Sequence, residues 1–499
     1  MKINDICILG GGTSGFSVAS LLACYREKFQ LDFTIKMVYS ESIETIGVGE
    51  SSIFDINQFF EYLGLEDKDW MPFCNATYKS SIRFENFYKN GRYFHYPFGK
   101  PRPLNHHYDM HDWFVGSASY PEAYTPERSS VFFNPSAIFA ERNKLTDESP
   151  DFKFNIKDNT TYHFDSHLLG NYLKKYCKKK GVEIIHDTFY GVAPNEDGSI
   201  KSLVCTKDIY SADLFIDCSG FRSLLLGEIM KEDYIPFSDT LINNKALVGK
   251  IPYSNKEEEL KCYTNCVALQ NGWCWEIPLW DGISVGYVHT NKFATEEEIE
   301  KEFFDRYGEL DYKTVKFKTG RYKRGWVKNV VGVGLSYGFI EPLESTSIAT
   351  TLENTFRLLE CISKRDMFYT QVDRDLFNHA ISHTMDKYKS FLELHYLLSS
   401  RDDSKYWKHL TESVDYDSVG YRKFLDSTIL NRRYDVDNPL DFSGIVYIVA
   451  GMNYSYFSKA FTQPTVDSGE AIKNHVDKLD CLCDNYPSSY EYLKENIYS

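Results

Sequence analysis

Two short runs carry most of the chemical information in this chain: Gly10-Gly11-Gly12-Thr13-Ser14-Gly15 and Gly272-Trp273-Cys274-Trp275-Glu276-Ile277-Pro278. In a strand–turn–helix, Gly10 permits a tight turn, Gly12 lets the backbone approach a pyrophosphate, and Gly15 lets the helix pack close to the strand. The helix start presents free N–H groups and the positive end of its dipole to the phosphates. Thr13 and Ser14 add hydroxyl contacts. The chemistry this points to is nucleotide-cofactor binding. Glu41, two residues beyond Tyr39, is the acid expected to reach the adenosine ribose. A third run, Ile46-Gly47-Val48-Gly49-Glu50-Ser51-Ser52, sets two glycines around a small apolar residue, a loop that another surface can approach closely. Glu50-Ser51-Ser52 reads equally well as the cap of the following helix. Trp273 and Trp275 lie two residues apart and so share one face of a presumed strand.

These residues need a frame. Residues 3–9 read as a strand, Phe16–Phe29 as a helix and Phe33–Tyr39 as a second strand, together a βαβ unit. A middle segment from Thr161 to Ser166 leads into a helix ending near Gly181, then strands at Val182–Ile185, Ile200–Cys205 and Leu214–Asp217. The last of these enters a glycine turn, Cys218-Ser219-Gly220-Phe221-Arg222-Ser223. Alternating strands fill roughly 245–290, including Cys274–Leu279 and Ile283–His289. From about 350 to 499 the pattern is mostly helical, with a long amphipathic helix beginning near Leu376. The cluster of acids and lysines at 254–261 reads as a solvated loop.

Composition bounds the partners. With 499 residues, 42% hydrophobic and 25% charged, the chain suggests two or three joined subdomains. A formal charge of -15 argues against a nucleic-acid or anionic-membrane partner, because phosphates would be repelled. No apolar run approaches the roughly 18 residues of a membrane span, and Ile6–Leu9 reads as a buried strand rather than part of a signal peptide. The 12 cysteines are scattered without zinc spacing, so no metal site is expected and a reducing, cytoplasmic setting is. The oligomeric state, including a homo-oligomer, stays open.

At this point the residues resemble the flavin-dependent, tryptophan-type halogenases. The likeness covers most of the chain and rests on Gly10–Gly15, Ile46–Glu50, Tyr78-Lys79-Ser80-Ser81-Ile82-Arg83-Phe84, His163-Phe164-Asp165, Leu214–Ser223, Gly272–Leu279, Gly338-Phe339-Ile340-Glu341-Pro342-Leu343-Glu344-Ser345-Thr346 and Leu394-His395-Tyr396. The W-x-W-x-I-P and E-P-L-E-S-T runs are the distinctive ones.

The resemblance implies an α/β fold: a FAD-binding, Rossmann-type box domain like that of aromatic hydroxylases, with mixed sheets and a mainly helical substrate-binding part. The expected organisation is a FAD module over 1–365, with an inserted substrate-side segment at about 70–155 and an antiparallel sheet at about 230–320, followed by a helical substrate-side subdomain over 366–499. Reduced FAD, supplied by a separate flavin reductase, would react with oxygen to a flavin hydroperoxide. A halide ion such as chloride or bromide would attack it, and the hypohalous acid would travel through a tunnel to the substrate.

Lys79 aligns with the family's essential lysine, which holds and aims the oxidant by hydrogen bonding or carries the halogen as a haloamine. Glu344 aligns with the second catalytic residue, a carboxylate that polarises the oxidant or accepts the proton lost as the ring regains aromaticity. The backbone N–H groups of Thr346 and Ser347 would bind the halide, with Ser347 standing where many tryptophan halogenases have glycine. Leu335 and Ile348 join Gly10, Gly12, Thr13, Ser14, Gly15, Glu41, Gly47, Val48 and Gly49 as expected cofactor contacts. Trp273 and Trp275 would gate the tunnel, keeping substrate from the flavin. Tyr96 and Phe98 would stack the substrate ring, although the family's His-Pro-Phe is here Tyr96-Pro97-Phe98. Asn453-Tyr454-Ser455-Tyr456-Phe457 also departs from the tryptophan-clamping pattern. The expected substrate is therefore a small electron-rich aromatic, a phenol or indole as readily as free tryptophan. The alternative activity is aromatic hydroxylation by a FAD monooxygenase, against which Lys79 and the two distinctive runs speak.

Overall fold

The computed structural model describes residues 2–42, 49–99, 110–416, 442–454 and 469–499. Its backbone forms two compact units that interleave along the chain. The first comprises Met1–Ala76, Phe164–Ser238 and Phe317–Tyr388, and the second Thr77–His163, Asp239–Lys316 and Lys389–Ser499. The last boundary between the two falls inside one long helix, Gln371–Leu397. Chain order alone does not reveal such a division, because strands distant in sequence pair within one sheet.

The first unit is built on a six-stranded sheet in the order Glu183–His186, Thr34–Tyr39, Asp5–Leu9, Leu214–Asp217, Val330–Gly332 and Trp326–Val327. The first five run parallel and the last closes a hairpin. The central strand has parallel neighbours on both sides, and its apolar residues Ile6, Cys7, Ile8 and Leu9 are all buried, as a run rather than an alternation. The helix Thr13–Lys28 follows, with Phe16, Val18, Ala19, Leu21 and Leu22 buried. It starts at Thr13 rather than Phe16 because Gly12 itself is the N-cap. The turn after Leu214–Asp217 is organised by one carboxylate. Asp217 accepts from Ser219 N (3.0 Å), Ser219 Oγ (2.6 Å), Leu225 N (2.7 Å) and Leu226 N (2.9 Å) while having no exposed surface.

The second unit carries a seven-stranded sheet ordered Tyr312–Lys316, Lys245–Ile251, Gly282–His289, Gly272–Leu279, Tyr263–Ala268, Ser81–Glu85 and Tyr93–Pro97. All neighbours are antiparallel except Tyr263–Ala268 with Ser81–Glu85. Alternation sorts its two faces. Leu247, Cys274, Val285 and Tyr287 pack against Ile299 and Phe303 of the helix Glu296–Tyr307. That helix begins with a reciprocal Thr295–Glu298 capping box. Trp273 and Trp275 point from the opposite face.

Three local readings shift. Gly49–Ser51 is a short strand, not a helix cap, and the helix begins at Asp55. The long helix begins at Gln371, five residues before Leu376, because Asp373 Oδ2 accepts both Thr370 N and Thr370 Oγ1 at 2.7 Å. Lys256–Glu259 is one exposed helical turn. All twelve cysteines are unpaired and nine of them buried. Among the described residues no helix is long and apolar enough to cross a membrane.

The Asp217 cluster yields a stability prediction. Asp217→Ala leaves buried N–H donors without an acceptor, and should cost about 3 kcal/mol or more. Urea unfolding followed by fluorescence reads this as a lower midpoint; an unchanged midpoint would contradict the organising role of the carboxylate.

Candidate active site

In the first unit the glycine turn is held by close backbone contact. Gly10 has φ +121°, and a Cβ there would stand 2.2 Å from Cys218 O. Gly10 N–H donates to Val38 O (2.9 Å) and Cys218 N–H to Leu9 O (2.8 Å), so the strand ends are stitched on both sides. A Cβ on Gly15 would lie 2.1 Å from Gly10 O. The helix Thr13–Lys28 has no side-chain cap. Its first-turn N–H groups therefore take no side-chain acceptor from the N-cap, as an anionic ligand requires. A second glycine turn meets the first: Gly334, at φ +64°, would carry a Cβ 2.7 Å from Ser14 Oγ. These are cradles that any side chain would fill, and they fit a dinucleotide. Thr13 Oγ1 donates to Ser166 O (2.8 Å), which leaves its backbone N–H as the donor for a ligand.

The remaining cofactor expectations are placed as follows. Glu41 is exposed, with Oε1 3.0 Å from His186 Nδ1 and 3.9 Å from Lys174 Nζ. Gly47 and Val48 lie outside the described residues. Gly49 opens the short strand Gly49–Ser51, and desolvation lifts the carboxyl of Glu50 to about 7.

The same unit contains an anion-competent helix start. The turn Pro342–Glu344 leads to Ser345, whose φ of +58° is left-handed, and then to the 18-residue helix Thr346–Ser363. Ser345 Oγ donates to Ser51 Oγ (3.0 Å) and does not cap the helix. Thr346 and Ser347 thus occupy the first two positions of a long helix without a side-chain cap. They line a cavity of about 10 Å³ together with Gly334, Leu335, Thr350 and Met385. That volume suits one water-sized guest. Ile348 follows in the first turn and is buried; Glu344 and Glu341 are buried as well.

The second unit holds the amine. The strand Thr77–Lys79 pairs antiparallel with Thr161–Asp165. Lys79 has 0% exposure, and its Nζ lies 5.0 Å from the centre of the Phe98 ring. The electron-rich ring face compensates part of the desolvation of an ammonium. Phe98 is itself fixed: its N–H donates to Ser80 O (2.9 Å), and its carbonyl accepts from Asn134 Nδ2 (3.3 Å) and Asn159 Nδ2 (3.2 Å). Tyr96 packs against Tyr447 (5.5 Å) and Phe391 (6.1 Å), and Gly444 lets its hydroxyl approach a helix backbone. Trp273 and Trp275 are buried with ring centres 6.3 Å apart, and the Trp275 ring lies across Gly286, where a Cβ would stand 2.0 Å from it.

Of the expected residues, the first unit therefore gathers Gly10, Gly12, Thr13, Ser14, Gly15, Glu41, Gly49, Leu335, Glu344, Thr346, Ser347 and Ile348, and the second Lys79, Tyr96, Phe98, Trp273 and Trp275. Two features escape the sequence reading. Gly334 is one, although Gly332-Val333-Gly334 at the end of a strand is a legible signal. The other is the hydrogen-bonded group around His163, which draws on Thr77, Thr264 and Pro278 and has no local signature.

Comparison with known proteins gives a consistent result. A family model described as tryptophan halogenase matches residues 5–424. The tryptophan 6-halogenase SttH of Streptomyces toxytricini is 30% identical over 528 aligned residues, covering 98% of each chain. The tryptophan 7-halogenase RebH of Lentzea aerocolonigenes is 32% identical over 439, covering 82% of this chain and 78% of its own. Among solved structures, that of VirX1 in its apo form superposes with a TM-score of 0.92 at 36% identity, with all of both chains covered.

The glycine geometry predicts the behaviour of Gly10→Ala. A Cβ at 2.2 Å from a carbonyl oxygen, on left-handed backbone, must open the turn. Retention of FAD should weaken at least about tenfold, equivalent to 1–2 kcal/mol of strain. Flavin absorbance after gel filtration measures this; wild-type retention would detach the turn from cofactor binding.

Proposed function

The chain belongs to the tryptophan halogenase family, and from that premise we propose that it halogenates a small electron-rich aromatic, with Lys79 delivering the halogen. It is a flavin-dependent halogenase. FAD, bound reduced, supplies the two electrons with which oxygen and a halide give hypohalous acid. On this reading a separate flavin reductase provides those electrons. Gly10, Gly12 and Gly15 hold the pyrophosphate against the start of the helix Thr13–Lys28, and Leu335 and Ile348 contribute to the wall around the flavin.

The observation that carries the reading is the pairing of two rare environments for charge. One is the helix start at Thr346 and Ser347, without a side-chain cap and lining a cavity sized for one small guest. A halide needs donors with no competing acceptor, and backbone N–H groups on the positive end of a dipole are such donors. The other is Lys79, wholly buried over Phe98. Hypohalous acid is a poorly directed electrophile, so its transfer needs a fixed, water-free donor. Glu344 takes the second catalytic role, accepting the proton lost from the ring.

Tyr96 and Phe98 supply the aromatic surface for the substrate ring. With tyrosine at position 96 in place of the family's histidine, the substrate is a phenol, an indole or a related small aromatic. Trp273 and Trp275, large and buried on one strand face, keep that ring from the flavin.

Two outcomes test the roles. Lys79→Ala should lower halogenated product by about 10³-fold or more, and Glu344→Gln by about 10²-fold, while both retain FAD. Mass spectrometry of the products and flavin absorbance of the protein read the two quantities separately. Normal product from Lys79→Ala would overturn its assignment, and an unchanged rate in Glu344→Gln would make that residue structural. Ser347→Gly removes a side chain from the halide cavity and keeps the N–H. It should raise the rate with bromide or iodide relative to chloride, as read by competition between equimolar halides; an unchanged ratio would exclude Ser347 from halide selection.

A further inference from the structure

The second unit encloses a polar layer that the halogenation chemistry does not by itself require. Thr77 sits directly opposite His163 and Lys79 opposite Thr161, so these four side chains share one face of the strand pair. All four have 0% exposure. Buried polar groups cost free energy unless satisfied, and an apolar set of the same shape would be at least as stable. The layer therefore calls for a reason beyond stability.

The hydrogen bonds define the state of the imidazole. Thr77 Oγ1 donates its single proton to Pro278 O at 2.6 Å. It can then only accept at its 3.1 Å contact with His163 Nδ1, so Nδ1 carries the ring proton. Nε2 is left bare and accepts from Thr264 Oγ1 at 2.9 Å. Both nitrogens are used in the neutral form. Burial, and next the positive charge of Lys79, hold the pKa well below the usual histidine range. Among the described residues Lys79 is the one ionisable group acting on this ring; Thr77, Thr264 and the Pro278 carbonyl are neutral.

The chain of bonds runs from Thr264 through His163 to Thr77 and ends on Pro278, which belongs to the strand Gly272–Leu279. Thr77 is the first residue of the three-residue strand whose last is Lys79. Strand Thr77–Lys79 is thus clamped from its side chains as well as its backbone, two residues from the amine.

We propose that His163 is a positioning residue for Lys79: a neutral imidazole whose two hydrogen bonds join Thr77, on the lysine's strand, to Thr264, and which with the Thr77–Pro278 bond fixes where the ammonium stands over Phe98. The proposal rests on the reading of Lys79 as the residue that delivers the halogen. A neutral ring is needed because an imidazolium there would set a second positive charge beside the first.

The test compares His163→Phe, which keeps bulk and removes both bonds, with His163→Asn, whose amide N–H replaces Nδ1–H toward Thr77. Halogenated product per reduced FAD oxidised is measured together with FAD retention and the substrate KM. His163→Phe should lose about 10²-fold in kcat, the effect of a displacement of about 1 Å, with KM and FAD retention unchanged. His163→Asn should recover at least about a tenth of wild-type coupling. Thr77→Val, nearly isosteric, cuts the same chain while leaving His163, and should lose coupling as His163→Phe does; this also covers a poorly folding phenylalanine variant. Wild-type coupling in His163→Phe or Thr77→Val would overturn the proposal, as would equal losses in the Phe and Asn variants, since a packing role would not distinguish them by hydrogen bonding. Lys79→Ala run alongside separates the premises: normal halogenation there defeats the reading of Lys79, whereas loss there with normal His163→Phe defeats the positioning role alone.

A pH readout adds to this. A folded imidazole held neutral contributes stability that is complete above the unfolded pKa of about 6.5 and is lost as pH falls below it, because the unfolded chain then binds the extra proton. Wild type should lose more stability than His163→Asn between about pH 6.5 and 5; parallel curves would contradict the neutral state.

Discussion

On the proposed reading, keeping the primary amine of Lys79 out of water is the constraint on which the chemistry of this chain depends. An exposed lysine is mobile, strongly hydrated and screened, and it cannot aim a diffusible oxidant. Lys79 has no exposed surface. Burying a cation costs several kcal/mol even after relaxation, so its surroundings have to compensate. The Phe98 ring offers its negative face, and Phe98 is fixed by three backbone hydrogen bonds to Ser80, Asn134 and Asn159. The neighbouring histidine is held uncharged by burial and then by the charge of Lys79, with hydroxyl partners on both nitrogens. The amine therefore stands in a dry setting, where its electrostatic effect is much larger than in water.

On the proposed reading the other compact unit meets the opposite problem, the seating of anions, and helix starts do it. Gly12 and Ser345 both precede long helices and neither provides a side-chain cap. The glycines at 10, 15 and 334 let the turns close, because a Cβ there would meet Cys218 O, Gly10 O or Ser14 Oγ. The left-handed backbone at Ser345, a residue with a Cβ, is a local cost of roughly 1 kcal/mol, and its hydroxyl is anchored on Ser51.

Legibility in the sequence follows the range of each constraint. The Gly10–Gly15 turn is readable because much of what it requires is local: a positive φ at Gly10 and the close approach of Gly15 to Gly10 O. The strands of roughly 245–290 are readable from alternation, with Trp273 and Trp275 on one face. Helix starts were less so. The apolar pattern of the first helix begins at Phe16, yet polar Thr13 and Ser14 are already helical. The long helix opens with Val372 and Leu376 exposed, so hydrophobic periodicity misplaces its beginning, and the true signal is the Thr370–Asp373 cap. Glu50-Ser51-Ser52 could serve as a cap or a strand, and pairing across the chain decided for the strand. The His163 layer joins residues 86 and 101 positions apart, a spacing that no local rule anticipates. Lys79 and Glu344 were found from a resemblance to a family, since neither type nor spacing alone distinguishes them from surface charges.

The most direct measurement is the product of turnover by the unmodified protein. Purified protein, FAD, a flavin reductase with NADH, and oxygen are given a panel of phenols and indoles with chloride, bromide or iodide in separate reactions. The account predicts products whose mass shift follows the halide supplied and that vanish when halide is withheld. Hydroxylated products formed at the same rate whether or not halide is present would contradict it.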